Sequence, residues 1–133
     1  MRMRRASKIP RRRNKYNNTR TKEYASAKEQ QRHGELLLLE RAGKIRDLKR
    51  QVVFEVIPAQ REPDTKGPRG GVKKGKTIEL AVKYVADFTY FNTATGEYVV
   101  EDVKGYRKEA AYKIYVIKRK LMLYHYGIRV KEV

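Results

Sequence analysis

A leucine-rich segment predicts a helix from about Ser26 to Ala42. Four consecutive leucines at residues 36–39 give this segment a broad apolar face. At its start, Ser26 and Glu29 have the S-x-x-E spacing of a capping box, in which Ser26 is the N-cap. Gly43 follows and fits a left-handed C-terminal cap. The pattern therefore predicts both ends of the helix as well as its buried side.

Beyond this helix, apolar and polar positions alternate as they do in β-strands. Ile45 and Leu48 are expected to pack in the turn that follows the helix. Strands are then predicted at Gln51–Ile57, Thr77–Phe91 and Glu97–Lys104. The second of these strands has seven residues that would share one face: Ile78, Leu80, Val82, Tyr84, Ala86, Phe88 and Tyr90. The turn sequence NTATG would join the last two strands as an antiparallel hairpin.

The C-terminal part predicts a second helix and a final strand. The helix runs from about Lys108 to Tyr126 and ends at Gly127, and the strand is Ile128–Val133. A strand, a helix and a strand at this spacing favour a right-handed parallel crossover. The order α-β-β-β-α-β indicates an α/β fold in which helices flank a mixed sheet. Between the first two strands, residues 58–76 contain three prolines and four glycines and predict a mobile basic loop or an extended hairpin connection.

Charge is the first indication of function. The chain has 133 residues, which suits one domain at 23–133, and a net charge of +18 from 33 basic and 15 acidic side chains. Such a charge attracts polyanions, and counterion release makes nucleic acid the expected partner. Residues 1–22 hold ten basic and no acidic side chains, so we predict a flexible basic arm whose Arg11, Arg12 and Arg13 bind phosphates. No cysteine is present to form disulfides or thiolate zinc sites, so cysteine usage does not indicate the redox compartment. No apolar run has the length of a membrane span, so a cytoplasmic protein without membrane contact is expected.

Candidate catalytic chemistry lies in the predicted hairpin. Asp102 and Lys104 are two residues apart on one strand and would point to the same face. Asp87 lies on the partner strand in the apolar segment YVADFTYF, where an acid costs stability unless something pairs with it. Two carboxylates facing each other across strands offer the oxygen ligands that Mg²⁺ prefers. The alternative is a solvated strand face with a salt bridge.

The D-x-K pattern alone is not specific. It also occurs as Asp47/Lys49 and Asp64/Lys66, but neither copy combines a clear strand with a second acid on a paired strand. Context therefore selects Asp102 and Lys104. With a metal neutralising the phosphate and lowering the pKa of a bound water, Lys104 would orient the attacking water or stabilise developing charge.

Several segments together resemble a family of small phage-encoded proteins assigned to the PD-(D/E)XK nuclease superfamily. These segments are SAKEQQRHGELLLLERAGKIRDLKRQVVFEVIP, YVADFTYF, EYVVEDVKG and LYHYGIRVKEV, and the resemblance covers roughly residues 22–133. It implies a restriction-endonuclease-like core and a DNA endonuclease that depends on Mg²⁺ or Mn²⁺. By analogy, branched DNA such as a Holliday junction is a substrate, a homodimer would cut two strands, and the host-cell cytoplasm would be the location.

Residue by residue, the resemblance implies a metal site of three acids and a lysine. Asp87 would be the first acid, Asp102 the second and Lys104 the lysine, while Glu29 on the first helix completes the site. The backbone carbonyl of Val103 would also bind metal. No proline precedes Asp87, which departs from the motif's name but is common variation in the superfamily. For Glu29 the capping role remains an alternative to the metal role.

Other basic residues would bind the phosphate backbone, and two other functions compete. Candidate contacts are Lys73 and Lys74 in the loop and Lys113, Lys118 and Lys120 on the last helix. A solvated surface would explain at least half of the basic residues on that helix as well. A non-catalytic basic nucleic-acid-binding protein would account equally well for the charge. The segment GGVKKGKT matches the phosphate-binding P-loop pattern, but no strand leads into it and no helix follows, so we interpret it as a basic loop.

Overall fold

A computed structural model describes residues 24–104 and 108–133 of the chain. The predicted basic arm, including Arg11, Arg12 and Arg13, lies outside the described residues. The elements in chain order are α1 (Ala27–Arg41), β1 (Ile45–Ile57), β2 (Gln60–Arg61), β3 (Thr65–Lys66), β4 (Val72–Lys73), β5 (Thr77–Glu79), β6 (Val82–Asn92), β7 (Tyr98–Asp102), α2 (Glu109–Tyr126) and β8 (Lys131–Glu132).

The main sheet has four strands in the order β1-β6-β7-β8. Strand β6 pairs antiparallel with both β1 and β7, and β7 pairs parallel with β8 after the crossover through α2. The mixed α/β class, the hairpin and the parallel pairing are therefore as predicted. The helix ends are also confirmed, since the Ser26 hydroxyl accepts from the Glu29 amide and Gly127 closes α2 with φ of 66°.

Three predicted boundaries were wrong. Ile45, expected in a turn, begins β1 and is buried, because Gly43 ends the helix with φ of 71° and the chain enters the sheet at once. The long strand at Thr77–Phe91 is interrupted at residues 80–81, and Ile78 and Leu80 are 62% and 81% exposed because this part leaves the main sheet. Strand β7 ends before Lys104, which therefore lies outside the strand.

The core divides into two clusters that meet beside Asp87. One cluster packs around α1 and contains Leu36, Ile45, Phe88, Tyr90 and Val103. The other packs around α2 and contains Val56, Tyr84, Ala86, Val100, Tyr115, Met122 and Val130. Along β6, Ala86 belongs to the second cluster and Phe88 to the first, so Asp87 stands at the junction of the two cores.

The segment between β1 and β6 is an extended two-stranded ribbon, which is the second of the two predicted alternatives. Strand β2 pairs with β5 and β3 pairs with β4, so residues 58–80 prolong the antiparallel pairing of β1 with β6. We call residues 58–80 the ribbon arm. The P-loop-like segment at residues 70–77 lies in this arm, and a strand rather than a helix follows it. It therefore lacks the helix terminus that would bind nucleotide phosphates.

Candidate functional site

Asp87 and Asp102 line one cleft between the sheet and α2. The neighbouring pair Phe88↔Glu101 sets a register in which the two aspartates stand opposite each other on β6 and β7. The cleft has a volume of about 250 Å³. Its lining residues are Tyr84, Val85, Asp87, Asp102, Ala111, Ile114, Tyr115 and Lys118.

Asp102 is held from the side of the α2 cluster. Its side chain is buried, and the Tyr84 hydroxyl donates a hydrogen bond of 3.3 Å to its Oδ1 atom. Burial, followed by the charge of Asp102, raises the pKa of Tyr84 far above its usual value. Tyr84 therefore stays protonated and remains a hydrogen-bond donor to Asp102 at any physiological pH.

Asp87 is fixed by two donors. The backbone amide of Val103 donates to Oδ2 at 2.7 Å, and the Gln51 side-chain amide donates to Oδ1 at 3.4 Å. The first bond ties β6 to the residue that follows Asp102 on the next strand. The Val103 backbone, predicted to help bind a metal, is thus next to the Asp87 carboxylate.

Glu29 reaches the same region from α1 through Gln51. The side-chain amide of Gln51 donates to Glu29 Oε1 at 3.0 Å, while Glu29 Oε2 accepts from the Ala25 amide at 3.3 Å. One carboxylate oxygen thus serves the helix start and the other faces Gln51, so capping and a place beside the aspartates are compatible. Burial, and then the charge of Asp87, raise the pKa of Glu29. Like charges in poor solvation explain this direction.

Gln51 was not identified from the sequence. It has φ of 52°, in the left-handed region that a glutamine in a strand rarely adopts. The flanking pairs Arg50↔Phe88 and Val52↔Ala86 place it opposite Asp87. No glycine or asparagine marks this position, so the sequence carries no signal for the unusual backbone.

Lys104 does not line the cleft, contrary to the expectation that it would share a face with Asp102. Its ammonium forms a 2.7 Å ion pair with Glu132 and lies 5.7 Å from the ring of Tyr112. The physical reason is that β8 brings Glu132 beside the end of β7, where Asp102 and Glu132 are register partners. Lys104, with smaller contributions from Tyr115 and Arg119, lowers the pKa of Glu132 to about 2, so this pair is ionised near neutral pH.

Lys118 lines the cleft instead. It lies on α2, is half-buried, and borders the same space as Asp87 and Asp102. The other predicted phosphate contacts lie elsewhere on the surface. Lys113 and Lys120 are exposed on α2, and Lys73 and Lys74 are exposed on the ribbon arm.

A buried ion pair, also not identified from the sequence, connects α1 to β7. Arg32 donates to both carboxylate oxygens of Glu101, at 2.9 and 2.7 Å, and the Tyr90 hydroxyl donates to the same carboxylate at 2.5 Å. Glu101 precedes Asp102, and Arg32 is one turn from Glu29 on α1. An acid within the apolar segment YVVED was a signal that a partner must exist, although the sequence does not show which one.

Three acids of this region do not form a metal cluster as they stand. Among residues 24–104 and 108–133, no group of three or more His, Cys, Asp or Glu side chains is close enough to hold a metal ion. The aspartates share the cleft, whereas Glu29 is separated from Asp87 by the Gln51 amide. The region therefore offers a pair of carboxylates with a third acid behind them.

A model of a protein family matches residues 11–132. The chain belongs to this family, the proteins of unknown function DUF1064. The match includes every acid of the cleft region and both helices. No curated protein and no solved structure matches the chain. Among the described residues, neither helix has the length and apolarity that crossing a membrane requires.

Proposed function

We propose that this protein is a metal-dependent DNA endonuclease of the PD-(D/E)XK type with a restriction-endonuclease-like core. The observation that carries the proposal is the shared cleft of Asp87 and Asp102, on adjacent strands of a chain with a net charge of +18. Excess positive charge brings the phosphate backbone to the surface. A protein that only bound this backbone would gain nothing from two carboxylates aimed into a cleft, since they repel phosphates.

The two aspartates suit Mg²⁺ or Mn²⁺ without a third protein ligand. Magnesium commonly keeps several waters and is held by one or two carboxylates together with substrate phosphate oxygens. A bound ion of this kind neutralises phosphate charge and lowers the pKa of a water that can attack phosphorus. Glu29 would join only when the Gln51 amide gives up the carboxylate oxygen that it now holds.

The surrounding side chains supply orientation and charge. The Tyr84 hydroxyl fixes Oδ1 of Asp102, while the Val103 amide and the Gln51 side chain fix the two oxygens of Asp87, so both carboxylates are held in place at the cleft. Lys118 is placed to bind a phosphate oxygen at the cleft. Lys104 is neutralised by Glu132, so we assign the electrostatic role to Lys118.

The test is a cleavage assay with the full chain on supercoiled, linear, nicked and four-way-junction DNA, in EDTA and with Mg²⁺ or Mn²⁺. Asp87→Asn and Asp102→Asn should abolish cleavage while DNA binding persists. Asp47→Asn is the matched control, because Asp47 belongs to another D-x-K copy, is exposed, and has a left-handed backbone that asparagine tolerates. Cleavage that survives in both cleft variants would refute the assignment.

Substrate geometry is a further outcome of the same assay. Preferential, symmetric cutting of the four-way junction by a dimer would support the junction-resolvase analogy. Equal cutting of linear and branched DNA would favour a general endonuclease. Binding of every DNA without cleavage under any metal would instead identify a non-catalytic nucleic-acid-binding protein.

A further inference from the structure

The ribbon arm is an ordered projection that the proposed catalytic role does not use. Its strands continue from Ile57 and Val82, which are register partners at the end of β1 and β6. All of residues 58–80 are exposed except the half-buried Gly67 and Gly75. A two-stranded ribbon that buries no apolar face adds little stability of its own. Its side chains are therefore available to a partner along nearly the whole length.

Backbone contacts specify the shape of this arm. The Glu62 amide donates to the Lys76 carbonyl at 2.9 Å, and the Gly75 amide donates to the Asp64 carboxylate at 2.9 Å. A Cβ atom on Gly75 would lie 1.8 Å from the Glu62 carbonyl oxygen. Only glycine allows the two strands to approach this closely, so the ribbon is a built element and not a random loop.

The outer half of the arm is purely cationic. Residues 65–73 read TKGPRGGVK and contain three basic and no acidic side chains. The acids Glu62 and Asp64 lie level with Lys76 and Gly75 across the ribbon, and Glu79 lies closer to the main sheet. This distribution places positive charge at the end of the projection, where it complements a polyanion.

The dimensions of the arm match one form of nucleic acid. At about 3.3 Å per residue, the segment from Gly71 to Val82 spans at most about 36 Å, close to one turn of B-form DNA. The major groove of B-form DNA is about 12 Å wide and admits a two-stranded ribbon. The corresponding groove of A-form RNA is too deep and narrow for side chains to reach its bases. Asp87 lies five residues from Val82, about 17 Å along β6, so cleft and arm could contact the same duplex.

We propose that the ribbon arm binds in the major groove of B-form duplex DNA and makes the protein selective for duplex over single-stranded substrate. This proposal rests on the proposed function only in taking DNA as the partner. It does not require cleavage, so binding in EDTA tests it even if the protein has no nuclease activity.

The experiment measures binding of the full chain, in EDTA, to fluorescent duplex DNA, single-stranded DNA and duplex RNA of equal length. Lys73→Ala/Lys74→Ala should weaken duplex DNA binding at least tenfold, lower the log–log salt slope by about 1.8, and change single-strand binding much less. The matched control is Lys44→Ala/Lys49→Ala, which removes the same charge from exposed positions with no assigned binding role and should leave the duplex preference unchanged. Equal losses for duplex and single strand, or the same effect in the control, would overturn the proposal.

A second variant separates shape from charge. Gly75→Val retains every basic residue but forces the ribbon strands apart, so groove binding predicts a loss of duplex preference with single-strand binding retained. The melting temperature should stay close to that of the parent, since the main sheet does not depend on the arm. Competition by the major-groove ligand methyl green, and not by the minor-groove ligand netropsin, is also expected. Three results would each contradict groove binding. The first is a Gly75→Val variant that binds duplex DNA as tightly as the parent does. The second is a parent protein that binds duplex RNA as tightly as duplex DNA, and the third is competition by netropsin alone.

Discussion

Replacing Arg32 with methionine should destabilise the protein strongly, because the carboxylate of Glu101 would remain buried without its counter-charge. The side chain of Glu101 is 0% exposed and that of Arg32 is 18% exposed. Methionine keeps an unbranched apolar side chain but removes the guanidinium group that donates to both carboxylate oxygens. Tyr90 would be left as a neutral donor, which does not neutralise a buried charge.

The expected loss is about 3 kcal/mol, the lower end of the range of about 3–5 kcal/mol for breaking a buried pair from one side. The lower end applies because water reaches part of the Arg32 side chain. A loss of this size is a large share of the roughly 5–15 kcal/mol that stabilises a domain. At about 3 °C per kcal/mol for a chain of this length, the melting temperature should fall by about 10 °C.

The loss should depend on pH in a definite direction. Burial alone would raise the pKa of Glu101, but hydrogen bonds from Arg32 and Tyr90 outweigh burial and hold it below the usual value. A lowered pKa stabilises the folded state above the unfolded-state pKa, and this contribution disappears as the pH falls through the folded-state value. In Arg32→Met, burial dominates and Glu101 becomes easier to protonate. The difference in stability between parent and variant should therefore be largest near neutral pH and should narrow in acid.

Urea denaturation followed by circular dichroism, near pH 7 and near pH 4.5, measures both quantities. Arg46→Met is the control, because Arg46 pairs with Asp47 at the exposed surface, where the loss should stay under about 1 kcal/mol. The double variant Arg32→Met/Glu101→Met should recover most of the stability, since apolar pairs often replace buried ion pairs without loss. A loss below about 1 kcal/mol for Arg32→Met at neutral pH, or equal losses at both pH values, would refute this account.

Three further predictions concern the cleft. Asp102→Asn should raise the melting temperature in EDTA, because it relieves the repulsion between the two aspartates of the cleft. It should also abolish stabilisation by Mg²⁺, which for the parent is about 1.4 kcal/mol at roughly ten times Kd. Scanning fluorimetry that shows the same Mg²⁺ shift in both proteins would contradict this prediction. Glu29→Gln should stabilise the protein in thermal unfolding above neutral pH and have little effect near pH 4. Burial and the charge of Asp87 raise the pKa of Glu29, and the stability associated with a raised pKa is lost as the pH rises through it. Lys118→Ala should lower the cleavage rate by at least about tenfold at unchanged stability. Lys104→Ala and the control Lys120→Ala should lower this rate less. A larger loss of kcat in Lys104→Ala than in Lys118→Ala would assign the electrostatic role to Lys104 instead.

Local sequence signals predicted the framework of the fold because they act within a few residues. The S-x-x-E start of α1 and the glycine that ends α2 are helix signals of this kind. The turn at residues 92–96 sets the hairpin, and the hairpin register then brings Asp87 opposite Asp102. Placing these two acids together required only the pleat of two adjacent strands and one turn.

Features that depend on distant segments could not be predicted. Lys104 was expected beside Asp102, but β8 brings in Glu132, 28 positions later, and an ammonium group pairs with whichever carboxylate the fold places nearest. Arg32 is 69 positions from Glu101, and no spacing rule relates the two. The ribbon arm was predicted only as one of two alternatives, since its prolines and glycines are common to mobile loops and to tight ribbons.

The cleft is also where the fold departs most from what stability alone would favour. Gln51 adopts a left-handed backbone, a conformation that costs on the order of 1–3 kcal/mol in a non-glycine residue. Its side chain joins Glu29 to Asp87, two acids whose charges oppose each other, and burial raises the pKa of the first of them. One oxygen of Glu29 accepts from the Ala25 amide at the helix start, but capping does not require the other oxygen to face Gln51 and Asp87. A divalent cation would offset the repulsion between these acids, because carboxylates that repel one another become ligands of a shared ion. Glu29 is paired only loosely, with Arg50 at 3.9 Å, whereas Glu101 is bound by Arg32 at 2.7 Å. This difference and the left-handed backbone of Gln51, both beside the two aspartates of the cleft, support a metal-dependent function for the cleft.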